Sequence, residues 1–315
     1  MCMEVIFLKD FKDIVKNING LGLVLGFFDG VHIGHAQLIQ YAKENTKKGS
    51  LGVLTFDKPL KSIEGLLMDV DDKIEAMKDL HVDYLFIIEC DDNFKQMSYV
   101  KFVDNVLKVF NPAKIFCGPD FRFGYEAKGD VHYLKERFNE VYVLNYVNDH
   151  NENKVSSSRI KEFIKEGNIK EANRYLGRPY KISGGIVHGF KNGEIIGFKT
   201  ANLLPSANYV LPSNGVYFTK TEINGVKYLS VTNVGLHPTI QKLSNRIIET
   251  HLIDYDENIY GERISIYFYE KERDEVKFEN LDELKERITQ DVQNCENFFK
   301  YKNWLVPLHE EPFWL

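Results

Sequence analysis

The run Gly26-Phe27-Phe28-Asp29-Gly30-Val31-His32-Ile33-Gly34-His35 brings together residue types that handle phosphate. Gly26, Gly30 and Gly34 permit tight turns and let a phosphate approach the backbone closely. His32 and His35 stand three apart, so both rings can face one phosphate and offer N–H donors to charge developing there. A histidine pair beside a turn also suits zinc or a plain surface role, but no third or fourth ligand lies at a familiar metal spacing. Upstream, Leu21-Gly22-Leu23-Val24-Leu25 is an apolar run of the kind that forms a buried strand. Downstream, the apolar spacing of Ala36–Lys43 fits one face of a helix. The motif therefore sits where a strand turns into a helix, and the open N–H groups and macrodipole of a first helical turn favour an anion.

Other stretches carry polar chemistry. Gly118-Pro119-Asp120-Phe121-Arg122-Phe123-Gly124 follows a predicted strand, with Lys128-Gly129-Asp130 just beyond. Arg122 by itself suits a structural ion pair as well as a ligand. Val155-Ser156-Ser157-Ser158-Arg159-Ile160 opens a helix, where hydroxyls are N-caps by default. Three hydroxyls, open N–H groups and an Arg at one helix start also make a phosphate cradle. Far along the chain come Gly184-Gly185-Ile186-Val187-His188-Gly189, Gly197-Phe198-Lys199-Thr200-Ala201-Asn202, Asn233-Val234-Gly235-Leu236-His237-Pro238-Thr239 and Glu249-Thr250-His251-Leu252. Singly these are weak, because glycine turns in β domains are mostly structural and a lone Glu on a strand is mostly solvated.

At 315 residues the chain has room for two domains, each with its own core. Up to about residue 147, Glu4–Leu8, Leu21–Phe27, Leu51–Phe56, Tyr84–Ile88, Lys114–Cys117 and Val141–Tyr146 read as strands, with amphipathic helices at Asp71–Leu80 and Tyr99–Val109. That alternation predicts an α/β, Rossmann-like, mainly parallel sheet, whose ligands bind beyond the carboxyl ends of its strands. Lys154–Glu166 and Ile169–Leu176 read as helices. Beyond Gly177-Arg178-Pro179-Tyr180 the pattern becomes antiparallel strands at Tyr217–Ile223, Lys227–Val234, Ile247–Ile253 and Ile264–Tyr269. A small β-barrel closed by a long helix over Leu281–Phe299 is expected, with domains at 1–180 and 181–315.

The net charge of −6, with no compensating block of Lys and Arg, argues against nucleic-acid or anionic-membrane partners. There is no basic start followed by an apolar core, and no apolar run of the ~20 residues that cross a bilayer. Cys2, Cys90, Cys117 and Cys295 are scattered without a C-x-x-C pair, as suits reduced thiols in a cytoplasmic protein.

The pattern G-x-F-D-G-x-H-x-G-H resembles the signature of HxGH nucleotidyltransferases, in the form that bacterial FAD synthetases carry. The Gly118–Gly124 loop and the Ser156–Lys161 helix start are similar to that family's G-x-D-F-R-F-G and S-S-T-R-I-R motifs, with Ser158 for the threonine and Lys161 for the second arginine. The distal motifs, in this order, resemble the riboflavin kinase module fused to those synthetases. The resemblance covers about residues 20–295 and names a family, bifunctional riboflavin kinase/FAD synthetase. It implies that ATP phosphorylates riboflavin to FMN, and that a second ATP adenylylates FMN to FAD with release of pyrophosphate. For the second reaction it implies stabilising roles for His32 and His35, and ATP or flavin contacts from Gly26, Phe28, Asp29, Gly30, Gly34, Asp120, Arg122, Ser157, Ser158 and Arg159. For the kinase it implies Glu249 as general base and Thr200 and Asn202 at Mg²⁺. It also implies Gly189, Gly197, Asn233 and Arg273 at ATP or flavin.

Two departures stand out. Phe56-Asp57-Lys58-Pro59-Leu60 has neither the histidine nor the first proline of the family's F-x-P-H-P. Lys199 replaces the proline of P-T-A-N, which loosens the approach to Thr200 and leaves a lysine able to reach a phosphate. Alternative readings are an adenylyltransferase whose distal domain is a weak kinase, and a flavin or nucleotide sensor.

Overall fold

The structure, a computed structural model, describes residues 3–9, 18–46, 48–60, 64–149, 151–187, 198–236 and 246–301. Contacts divide the chain into two compact units that part between Val155 and Ser156, with Gly65–Asp69 joining the second.

The first unit is built on strands β1 (Glu4–Leu8), β2 (Gly22–Leu25), β3 (Leu51–Phe56), β4 (Tyr84–Ile88), β5 (Lys114–Cys117) and β6 (Val141–Val143). They pair in the order β1-β4-β3-β2-β5-β6, every pair parallel. Every residue of β2 and β3 is buried, as expected of strands covered on both faces. Helix α1 (Ile33–Asn45) buries Ile33, Ala36, Leu38, Ile39 and Ala42. Helices α2 (Val70–Asp79), α3 (Asp92–Lys95), α4 (Tyr99–Phe102), α5 (Lys108–Phe110) and α6 (Val131–Arg137) complete the layers. The single helix expected over Tyr99–Val109 is interrupted by a wider π-turn at Val103–Leu107, which puts Val103, Val106 and Leu107 in the core together. β2 ends at Leu25, short of the strand expected over Leu21–Phe27, and Phe28 beyond it takes φ +54°, which no strand residue adopts.

Strand order makes β2 the switch point, with β3 on one side and β5 on the other. In a parallel sheet all carboxyl ends lie along one edge, so the Gly26–His35 turn, residues after Phe56 and the Gly118–Gly124 loop share it.

The second unit opens with α7 (Ser157–Glu166) and α8 (Ile169–Leu176). It continues with β7 (Tyr180–Val187), β8 (Ala201–Pro205), β9 (Gly215–Ile223), β10 (Val226–Leu236), β11 (Arg246–Leu252) and β12 (Arg263–Arg273). These close into a barrel in the order β10-β11-β8-β7-β12-β9. β7 and β8 are strands that the sequence pattern does not single out. Asn224 and Gly225, both at positive φ, make the tight hairpin turn that their types imply. Inside the barrel, Thr219, Thr221, Ser230, Thr232 and Thr250 satisfy one another at 2.7–3.4 Å. Helix α9 (Leu281–Tyr301) lays Cys295 and Phe298 on Val216, Phe218 and Val231.

The compact units part at residue 155, whereas the sequence pattern changes near 180; between these points α8 is anchored to the barrel. Its Asn173 amide donates to the Phe268 carbonyl at 2.9 Å and accepts from the Tyr180 N–H at 2.7 Å, while Ala172, Tyr175 and Leu176 are buried. Gly65–Asp69 joins the same unit because Leu66 bridges Tyr209, and Asp69 accepts from Ser206 at 2.6 Å and Arg263 at 2.9 Å.

Candidate functional site

The first candidate centre grows from the end of β2. A Cβ on Gly26 would lie 2.7 Å from the Phe28 ring, so the turn needs glycine there. Phe28 and Val31 sit at φ +54° and +37°, a conformation that costs a non-glycine residue about 1–3 kcal/mol. Asp29 and His32 are only 5% and 6% exposed. His32 is the N-cap of α1, its Nδ1 accepting from the His35 N–H at 3.4 Å. A ring whose Nδ1 accepts carries its neutral proton on Nε2, leaving that nitrogen as donor. The His32 and His35 rings stack with centroids 3.6 Å apart and planes 18° from parallel, and Phe28 meets His35 edge-on at 5.1 Å. The histidines therefore present two rings side by side, as their spacing predicts. The first-turn N–H of His35 is engaged by His32, so the rings lead at this helix start.

Asp120 and Arg122 are exposed and ion-paired, Asp120 with Lys154 at 2.8 Å and Arg122 with Asp130 at 3.2 Å. Arg122 also lines an apolar cavity of about 290 Å³ whose walls include Phe56, Leu60, Phe94, Phe102 and Phe123. Phe56 and Leu60 belong to the segment that departs from F-x-P-H-P, so the departure leaves an aromatic wall intact. Ser157, Ser158 and Arg159 open α7 in the second unit. The cap there is Ser156, whose hydroxyl accepts from the Arg159 N–H at 3.3 Å, while Arg159 pairs with Glu162 at 2.8 Å.

The second candidate centre is a row across the barrel. Strand register sets Asn202 opposite Glu249, Glu249 opposite Asn233, Asn233 opposite Val216 and Val216 opposite Arg273. Directly opposed residues project to one face, so five strands contribute to one line of side chains. Thr200 donates to Glu249 at 2.5 Å from just before β8. Two cavities meet at Thr200. One, of about 290 Å³, lies between Lys199, Thr200 and Asn202 and the 255–260 segment. The other, of about 210 Å³, holds Thr200, Asn233, Glu249 and Arg273 beside apolar Val216, Val231, Phe278 and Ile288. Arg273 is held in place by Asp291 of α9, through Nε at 3.0 Å and Nη2 at 2.7 Å. Gly189 and Gly197 lie outside the described residues.

Lys199, the departure from P-T-A-N, is tethered by its backbone. Its carbonyl meets His251 Nδ1 at 2.8 Å, and the His251 ring meets Phe198 edge-on at 5.1 Å. Its ammonium lies 3.2 Å from the exposed Asp256 carboxylate. The stiffness that proline would supply before Thr200 thus has a partial substitute in the His251 contact.

Sequence reasoning missed Lys73. It is 3% exposed and donates to the Phe27 carbonyl at 2.8 Å, the Phe56 carbonyl at 3.1 Å and the Thr55 hydroxyl at 3.2 Å. Burial pulls its ammonium down to about 8, with the Asp29 and Asp57 carboxylates pushing back. A signal existed: Lys73 stands four residues before buried Met77, on the inward face of an amphipathic helix.

Two family models match successive parts of the chain. The FAD synthetase family model matches residues 15–159 and the riboflavin kinase family model matches residues 176–299. A bifunctional riboflavin kinase/FMN adenylyltransferase of Listeria monocytogenes is 33% identical, over 88% of this chain and 92% of its own length. One of Escherichia coli is 32% identical over 89% and 93%. A solved Streptococcus pneumoniae structure, described as a macrolide-efflux protein, matches with a TM-score of 0.84 at 29% identity, over 94% of this chain and 99% of that one. That likeness concerns the fold; among the described residues no helix is long and apolar enough to cross a membrane. With identity above 30% over nearly the full length of both chains, and both family models in the expected order, this chain belongs to the bifunctional riboflavin kinase/FMN adenylyltransferase family.

Proposed function

We propose that the chain phosphorylates riboflavin to FMN and adenylylates FMN to FAD, with adenylyl transfer assigned to residues 1–180 and the kinase to 181–315. In the adenylyl step a phosphate oxygen of FMN attacks the α-phosphorus of ATP, and the bond to pyrophosphate breaks. Such a transfer depends on in-line placement and charge stabilisation more than on a protein nucleophile. The stacked His32 and His35 supply N–H donors to the phosphoryl oxygens, and Gly26, Phe28, Asp29, Gly30 and Gly34 shape the turn around them. The apolar cavity beside Arg122 suits the flat flavin ring. Asp120 and Arg122 place flavin or nucleotide by exchanging their solvent-exposed, weakly held ion pairs for substrate. Ser157, Ser158 and Arg159 hold the triphosphate, as the family motif implies.

In the kinase step Glu249 takes the proton from the ribityl 5′-hydroxyl as its oxygen attacks the γ-phosphorus, and the bond to ADP breaks. The observation that carries this reading is the register row, which sets the carboxylate between Asn202 and Asn233 where two cavities meet. The cavity with apolar walls, bounded by Arg273, takes the flavin. The other takes ATP, with Gly189 and Gly197 contributing as the family motifs imply. Thr200 and Asn202 offer oxygen donors, the type that Mg²⁺ prefers. When bound there, Mg²⁺ would neutralise phosphate charge. We further assign the protein to the cytoplasm, acting on small molecules without nucleic-acid or membrane partners. The buried free thiols of Cys90, Cys117 and Cys295 fit a reducing compartment.

Lys199 is expected to be a tolerated variation. Its ion pair with Asp256 is solvent-exposed, worth roughly 0.2–1 kcal/mol, so Lys199→Pro should leave the kinase KM for ATP within about fivefold. Turnover should stay level or rise, and FMN adenylylation should not respond. A tenfold or larger rise in that KM at unchanged turnover would show that the lysine holds a phosphate.

The function is tested by incubating the purified chain with ATP, Mg²⁺ and either riboflavin or FMN, then separating products. FAD from both substrates is the expected result. FAD from FMN alone would remove the kinase assignment, and no product from either would remove both.

A further inference from the structure

The buried Lys73 ammonium is unusual in having all its donors placed on the carboxyl ends of the two strands beside the histidine turn. Nζ reaches the Phe27 carbonyl, the Phe56 carbonyl and Thr55 Oγ1 at 2.8–3.2 Å. Thr55 in turn donates to the Phe27 carbonyl at 2.9 Å, and the Phe27 ring lies 4.5 Å from the ammonium. Phe27 is the last residue before the turn that contains Phe28 and Val31 at positive φ. Three acceptors match the three N–H donors of a protonated lysine, whereas a neutral amine would turn a lone pair toward one of them. A strained turn persists only where its surroundings over-determine it.

We propose that Lys73 is a positioning residue for adenylyl transfer: its ammonium pins the Phe27 carbonyl to β3 and so holds the 28–32 turn, and the His32 and His35 rings with it, in working geometry. The inference rests on the reading of the histidine turn as the adenylyl-transfer site.

Lys73 has no direct role toward substrate, so its signature is a change in turnover with a distinctive pH dependence. The groups facing it are Asp29 after β2, Asp57 after β3 and Cys90 after β4. The Cys90 thiol is pushed up to about 12 by burial and then by Asp57, so it stays neutral through the alkaline range. With Lys73 drawn down to about 8, the pin is charged at neutral pH and loses its third donor as pH rises through that value. FMN adenylylation in the unmodified chain should therefore fall above about pH 8, while riboflavin phosphorylation should lack that limb.

The test compares kcat and KM for both reactions across pH in the unmodified chain, Lys73→Met and Thr55→Val. Lys73→Met is expected to lower the kcat of adenylylation on the order of 10–100-fold, the effect of a small misplacement. The KM for ATP should change little, phosphorylation should remain, and the alkaline limb should vanish. Thr55→Val keeps the shape but removes one acceptor of the charged form, so its loss should be smaller and its limb should move to lower pH. It decides the matter if Lys73→Met fails to fold. Turnover unchanged in Lys73→Met, both activities falling together, or a limb unmoved in Thr55→Val would each overturn the inference. Failure of the underlying reading looks different: His32→Ala would then retain adenylylation, whatever Lys73→Met does.

Discussion

His32→Ala is expected to abolish FMN adenylylation while leaving riboflavin phosphorylation largely intact. Losing one preorganised donor at a transition-state oxyanion typically costs about 10²–10³-fold. Here the loss should exceed that, because the ring has two further attachments. Its Nδ1 caps the first turn of α1, and its face lies 3.6 Å from His35. Alanine therefore removes one donor and releases the neighbour that orients the second. The lost cap adds about 0.5–2 kcal/mol of destabilisation to the first unit. His32→Asn separates these effects, since asparagine is a good N-cap without the imidazole donor. It should recover melting temperature but not activity. The kinase row lies in the other compact unit, so FMN formation from riboflavin should continue in both variants. Equal loss of both activities in a folded variant would sink the two-site reading.

Glu249→Gln should do the reverse, lowering FMN formation by roughly 10²–10⁴-fold, the contribution of a positioned general base. The substitution is gentle in shape. Gln retains an oxygen that can accept from Thr200, and its neighbours Asn202 and Asn233 are fixed by strand register rather than by charge. What it loses is the capacity to take a proton. FAD formation from supplied FMN should stay at the level of the unmodified chain. Near-normal phosphorylation of riboflavin in this variant would mean that another group accepts the hydroxyl proton.

Features carried by neighbours in the chain are legible in the amino-acid order itself. The strand, turn and helix around Gly26–His35 follow from contiguous residues, and a spacing of three on a helix start places the two rings together whatever surrounds them. The same holds for the Asn224-Gly225 hairpin and for the long helix closing the barrel. The order of the distal motifs is enough to name a family, because order is a property of the chain itself. Glycine-interrupted β7 and five-residue β8 are not legible in this way, since their length and composition carry little periodicity.

Arrangements that need residues far apart in sequence to meet are fixed by the fold. The line Asn202, Glu249, Asn233, Val216, Arg273 exists because five strands align in register, and a one-residue slip in any of them would turn its side chain to the other face. The pin from Lys73 to Phe27 and Phe56 joins α2 to two strand ends, and in the sequence it is one charged residue on a helix with several. Likewise α8 reads as an ordinary amphipathic helix, and its place with the barrel is set by Asn173 reaching Phe268 and Tyr180. A sequence states which groups are available at short range. Which distant acceptors a buried donor must find is settled only when the chain closes on itself, because leaving such a group unpaired costs more than the bond contributes.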